Sequence, residues 1–250
     1  MFPTSGCTFN LDTSSPSFPP HLIDSNRNIV LPEMVGSSRV ITLDVDQQVA
    51  VGCLGNGNYI RATGMQLAPA TCLSTSNLLV DGVEMTYAQL GCFIQNKEVL
   101  VENGTCANGI GTVIRIGWQA GPEFIPLYDI CHDKVAAANY VSTNYLRGKT
   151  AAADDSANER PSFSQDVYYS GLDVNTLYTQ AKQTETIASI VGSMSLAQQY
   201  VQSGTQIFLS RGHMAPDGDF IDAASQDATY YFMNVAPQWQ NFNGANWKYV

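Results

Sequence analysis

The stretch "LSRGHMAPDGDF", residues 209–220, decides how the second half of this chain is read. An apolar run, "TQIFL", leads into it, and Arg211, Gly212 and His213 follow at once. His213 is one of only three histidines in 250 residues. On an extended segment residues i and i+2 share a face, so Arg211 and His213 are expected side by side. Gly212 between them leaves room for a backbone or a ligand to come close. A permanently charged guanidinium next to an imidazole that is near neutral at pH 7 suits phosphate chemistry. The arginine holds the anion while the imidazole takes a proton from water.

Further along, "NVAPQWQNFNGANW" (234–247) concentrates Asn234, Pro237, Gln238, Asn241, Asn243, Asn246 and Trp247. Asparagines of this density usually make turns and caps. One of them can also serve as a hard-cation ligand, because an amide oxygen is a neutral donor suited to Mg²⁺.

Arg211-Gly212-His213, then Asn234-Val-Ala-Pro237-Gln238, then Asn243-Gly-Ala-Asn-Trp247 stand in one order at one spacing. Together they resemble the DNA/RNA non-specific endonucleases of the ββα-metal type. The likeness to crustacean members of that family, the crab duplex-specific and shrimp nucleases, is wider. It takes in the six-cysteine N-terminal region, the Pro-rich segment before Asp24, "ERPSF" (159–163) and "QDATYYF" (226–232). The resemblance implies His213 as general base and Asn243 as the single protein ligand of Mg²⁺, with other divalent cations as alternatives. It places Arg160 where relatives contact phosphate, and Arg211 either on the phosphate or shaping the site. The implied activity is metal-dependent hydrolysis of DNA and/or RNA with little sequence specificity, leaving 5′-phosphate ends. The alternative is a secreted, non-catalytic nucleic-acid-binding or interaction protein with a nuclease-like domain.

The sequence departs from the family pattern twice. Ser210 stands where many members have aspartate before Arg-Gly-His. The family glutamate eight residues after the metal asparagine would fall at position 251, one past Val250. The expectation is a fragment that cleaves poorly by itself.

Charge restricts how nucleic acid could be held. The net charge is −10, and neither half is basic: residues 1–140 carry 6 Lys+Arg against 12 Asp+Glu, and residues 141–250 carry 6 against 10. Broad phosphate neutralisation is excluded, so binding must rest on a local site. No apolar run reaches the 18 or so residues of a membrane span, and no membrane partner is expected.

Six cysteines, at 7, 53, 72, 92, 106 and 131, form no Cys-x-x-Cys pair. They read as three disulfides made in an oxidising compartment, with fifteen pairings open. A secreted protein is expected, its signal segment not part of this sequence. Asn103-Gly-Thr105 has the form of a glycosylation acceptor in a predicted loop.

Elements follow from patterning. Short runs rich in Val, Ile and Leu between 39 and 131 predict an all-β module. The small, polar stretch 147–163 predicts an exposed loop or boundary. A helix is expected from an Asp173 cap, strands over 205–210 and 229–235, and a helix starting near Gly244. "DGD" at 217–219 reads as a solvated turn, and His21 and His132 as structural or exposed. The fold class is α+β: a disulfide-linked β module over 1–140, then an incomplete nuclease domain over 141–250.

Overall fold

The computed structural model describes residues 6–73, 76–148, 151–155 and 157–245. It is a mixed α+β fold in which antiparallel sheets come first and helices cluster late. The strands are β1 (Cys7–Asn10), β2 (His21–Ile23), β3 (Glu33–Val35), β4 (Ser38–Leu43), β5 (Gln48–Gly52), β6 (Leu67–Cys72), β7 (Leu78–Val80) and β8 (Val83–Met85). They continue as β9 (Val99–Cys106), β10 (Gly111–Ala120), β11 (Glu123–Asp133), β12 (Ala138–Asn144), β13 (Leu209–His213) and β14 (Val235–Trp239). The α-helices are α1 (Leu11–Ser14), α2 (Val174–Leu177), α3 (Gln180–Val191), α4 (Met194–Tyr200), α5 (Ala223–Asp227) and α6 (Gln240–Asn243). No helix among the described residues is long and apolar enough to cross a membrane.

Four sheets result, in strand orders β1-β4-β3, β2-β5-β6-β7-β8, β12-β11-β10-β9 and β13-β14. The first two enclose one core, where Phe9, Leu22, Ile41, Leu43, Val51 and Leu78 pack around the Cys7–Cys72 and Cys53–Cys92 disulfides. The third disulfide, Cys106–Cys131, ties β9 to β11 across β10. All six cysteines are thus paired, as the oxidising reading requires. Bridges spanning 65, 39 and 25 residues each remove roughly 3–4 kcal/mol of unfolded-chain entropy in the loop-closure account.

The third sheet carries the functional half. Alternation along β10 buries Ile114, Ile116 and Trp118 on one face, as a period of two demands. On the other face Arg115 grips its cross-strand partner Asp129 with two hydrogen bonds of 2.8 and 2.9 Å. The buried face is a floor. Ile114, Ile116, Tyr128 and Ile130 pack against Tyr169, Val174, Ala215, Phe220, Tyr231, Phe232 and Met233. Asn139 of β12 donates to the carbonyls of Phe232 and Val235, both at 3.2 Å, and so pins the start of β14 to the sheet edge. The expected division at residue 140 falls inside β12, and the core beneath β13 and β14 draws on both sides of it.

Element boundaries differ from expectation in three places. The strand expected over 205–210 starts at Leu209, because Leu209 is the first residue with a ladder partner, Trp239; before it, a turn over 202–205 is closed by Thr205 N–H to Gln202 O, and Gln202 N–H bonds Ile207 O. Over 229–235 the chain makes a single tight turn, Phe232–Asn234, with every residue buried, and the strand follows it. The one helix expected from Asp173 is two. Asp173 caps α2 through Thr176 N–H, Thr179 caps α3 through Lys182 N–H, and Gly192 closes α3 in a left-handed conformation.

Candidate active site

β13 and β14 pair antiparallel, with Arg211 opposite Pro237, Gly212 opposite Ala236 and His213 opposite Val235. The 21-residue connection between them (214–234) is knitted by one side chain. Fully buried Asn234 donates to the carbonyls of Ala215 (2.8 Å) and Thr229 (3.0 Å) and accepts from Ala215 N–H (2.9 Å). α6 follows β14 without a break and Asn243 is its last residue. The helix expected from near Gly244 falls largely outside the described residues. Asn246 and Trp247 lie outside the described residues.

His213 is half-buried in an aromatic pocket. Its ring centroid is 4.7 Å from Tyr230, edge to face, and 5.0 Å from Phe163. Burial holds its pKa down to about 4; Arg160 pushes the same way, and Asp217 opposes. Burial disfavours the charged imidazolium, so the ring is neutral across the physiological range.

Arg211 shares the His213 face, since both lie on Phe163. Its guanidinium is packed against three rings, 5.9 Å from Phe163, 5.3 Å from Tyr178 and 5.6 Å from Phe232. Nη2 donates to Asn175 Oδ1 at 3.3 Å. Arg160, by contrast, has a side chain 75% exposed, and its Nε lies 3.4 Å from Asp217 Oδ2. The same oxygen accepts from Tyr230 Oη at 2.6 Å. Asp217, read from sequence as part of a solvated turn, is therefore a half-buried post joining Arg160 to the wall of the His213 pocket.

Asn243 is anchored by Ser210. Its Nδ2 donates to Ser210 Oγ at 3.1 Å, and Ser210 in turn donates to Gln238 O at 3.0 Å. The serine thus holds the nitrogen end of the carboxamide, so Oδ1 is the end that a cation could use. No cluster of three or more His, Cys, Asp or Glu able to hold a metal occurs among the described residues. The donor set is a neutral amide oxygen, which fits Mg²⁺ because that ion keeps most of its waters. Gly212 is used for space. Gln238 crosses it so closely that an added Cβ would lie 2.3 Å from both Cδ and Oε1.

The comparisons with known proteins bear on the family. The family model for the DNA/RNA non-specific endonucleases matches residues 112–250, more than half of the chain. This chain belongs to that family. The match starts in β10, so the four-stranded floor lies mostly within the endonuclease region. Curated relatives extend the match upstream. A salivary endonuclease of Lutzomyia longipalpis is 26% identical over 92% of this chain and 51% of its own length. A salivary endonuclease of Culex quinquefasciatus is 29% identical over 88% and 56%, and salivary protein Tsal2A of Glossina morsitans morsitans 22% over 97% and 61%. The chain thus spans about half the length of the curated relatives it matches. No solved structure matches it.

The structure brings Arg160, Arg211 and His213 around Phe163 and Asp217, and fastens Asn243 to Ser210 on the same strand. Sequence reasoning gave no role to Phe163, Tyr178, Asp217 or Tyr230, and saw Gln238 only as a motif position. A usable signal was the clustering of aromatics in "TYYF" beside an otherwise polar motif. His21 and His132 are both buried structural residues: His21 packs 4.7 Å from Trp118, and His132 Nδ1 lies 2.7 Å from Asn139 Oδ1.

Proposed function

We propose that this endonuclease-family chain hydrolyses phosphodiester bonds of DNA and/or RNA with little sequence specificity, leaving 5′-phosphate ends. The observation that carries the reading is a neutral imidazole, His213, kept uncharged by its aromatic pocket next to the exposed guanidinium of Arg160. His213 accepts the proton of the attacking water, which only a neutral imidazole can do. Arg160 draws the phosphate in; an arriving anion competes with Asp217 for a guanidinium that is mostly solvated, so the exchange costs little. Arg211, its charge spent on three rings, is a positioning residue that fixes Phe163 and hence the imidazole. Asn243 Oδ1 would hold a divalent cation, Mg²⁺ first among candidates, which when bound supplies positive charge to the phosphate oxygens and the leaving group. Ser210 fixes which end of that carboxamide faces the ion.

The three disulfides and the salivary relatives support an extracellular site of action. The domain division proposed here sets a β module against an endonuclease region that takes in the β9–β12 floor, because Ile114, Ile116, Tyr128 and Ile130 share one core with Ala215, Phe220 and Phe232.

The test is plasmid cleavage by wild type, His213→Ala and His213→Gln, with circular dichroism as a control for fold. Loss of cleavage in both variants, with nucleic-acid affinity retained, is expected. The net charge of −10 favours a second reading, binding without cleavage. Because residues 1–250 are expected to cleave poorly by themselves, the assay uses a form extended past residue 250; an extended wild type that binds nucleic acid but leaves it intact at any divalent-ion concentration would establish that one instead.

A further inference from the structure

We propose that Asn103 is a glycosylation site carrying an N-linked oligosaccharide that caps the open edge of the endonuclease floor. Asn103-Gly104-Thr105 is the single Asn-x-Ser/Thr in the sequence with x other than proline. Sequence alone puts it in a loop; the structure puts it in β9, at a break in register. Thr105 pairs with Thr112 and Glu102 with Ile114, so Asn103 and Gly104 together face the single residue Val113. Two residues against one is a β-bulge. Gly104 takes φ +87, a conformation other residues enter only with strain. The bulge frees Asn103 from the ladder. Residues 102–105 are all exposed, and no hydrogen bond among the described residues holds the Asn103 carboxamide.

Position and compartment agree. Among the described residues β9 ends its sheet, paired with β10 alone. An exposed edge invites pairing with another chain, and natural proteins cover or charge such edges. Glu102, bonded to Lys134, supplies one charged pair there, while Ile110 in the adjoining turn is 67% exposed. A bulky, hydrated glycan would cover the rest. β12, the strand that touches β14, is at the far side of the same sheet, about 14 Å away at the usual strand spacing. The sugar would therefore leave His213 accessible. Three disulfides show that the fold is built for the oxidising compartment where the transfer occurs.

The co-reactant is a lipid-linked oligosaccharide pyrophosphate, delivered by its transferase. Asn103 Nδ2 attacks the sugar C1; the new C1–N bond replaces the C1–O bond to pyrophosphate, which leaves with the bonding pair. The amide nitrogen gives up one proton. Thr105 supplies the hydroxyl that the acceptor motif requires two residues on.

The experiment expresses the chain through the secretory pathway of insect cells. Intact mass is read before and after peptide-N-glycosidase, on both the secreted and the lumenal fractions, with the disulfides counted as proof of the compartment. Wild type and Thr105→Ser should carry hexose and N-acetylhexosamine mass that the enzyme removes, leaving aspartate at position 103. Asn103→Gln and Thr105→Ala should show none. Oxidised wild-type protein at the bare polypeptide mass in both fractions would overturn the proposal. So would sugar that persists in Asn103→Gln.

Discussion

Replacing Gly212 by alanine tests whether the glycine of Arg-Gly-His is there for space. Its φ lies outside the left-handed region, so backbone freedom is not at issue. The new Cβ would meet Gln238 Cδ and Oε1 at 2.3 Å and Cγ at 2.6 Å, about 1 Å inside normal contact. Because Cγ is involved, the glutamine cannot escape by turning its amide end alone. Either its whole side chain leaves, or β13 shifts against β14. Overpacking of this kind costs roughly 1–3 kcal/mol, which for a protein of this size lowers Tm by about 2–12 °C. His213 is the next residue, and a strand shift near 1 Å can cost on the order of 10²-fold in rate. Thermal unfolding by circular dichroism and plasmid cleavage are measured for Gly212→Ala, Gln238→Ala and the double variant. Removing the glutamine should recover at least half of the Tm lost in Gly212→Ala, a coupling that independent sites would not show. A single variant as stable and active as wild type, or a double variant that is merely additive, refutes the reasoning.

Four further outcomes follow from the same geometry. The acid limb of the pH–rate profile should fall near pH 4 rather than 6.5, where the buried His213 takes its proton; a limb at 6.5 would put the base in open solvent. Because the unfolded chain protonates that histidine first, stability should be full above pH 6.5 and decline as the pH falls from there toward 4, and melting curves of His213→Gln should show a smaller decline. Arg211→Ala should lower stability by about 2 kcal/mol, the loss of contacts with three rings, visible in urea unfolding, whereas an unchanged midpoint would return Arg211 to the solvent-facing phosphate site. Chelator should abolish cleavage, and both Asn243→Ala and Ser210→Ala should weaken Mn²⁺ binding followed by electron paramagnetic resonance, while Ser210→Thr keeps it; unaltered Mn²⁺ affinity in the two alanine variants would remove this corner from the metal site.

Legibility in the sequence followed the range of the interactions involved. The side-by-side placement of Arg211 and His213 on one strand could be read because it rests on residues near one another in the chain. Asp173 as a cap was equally local. The partners that make the site work come from far away. Phe163 reaches His213 across 50 residues and Asn139 reaches Val235 across 96, and no periodicity connects them. The tight turn Phe232–Asn234 was misread as strand because "YYFMN" has strand composition; tertiary burial from every side overrode propensity. Disulfides were legible as a set and not as pairs, since connectivity depends on which sheets pack together.

The acidic composition takes on a definite meaning once the site cations are located. Arg211 is committed to aromatic rings, so Arg160 stands as the exposed guanidinium beside the His213 pocket, and Asp217 shares its charge. A protein held to its substrate by broad phosphate neutralisation would bear many such groups and lose affinity steeply in salt. Here the carboxylate that tethers Arg160 is itself tied to Tyr230, whose ring is a wall of the His213 pocket. On the proposed function, displacing Asp217 from Arg160 would act twice: it would release a cation to the phosphate and leave the anion that raises the His213 pKa free to support a proton taken from water. Substrate binding and base strength would on that function be coupled through one carboxylate, which a local site can arrange and a diffuse basic surface cannot.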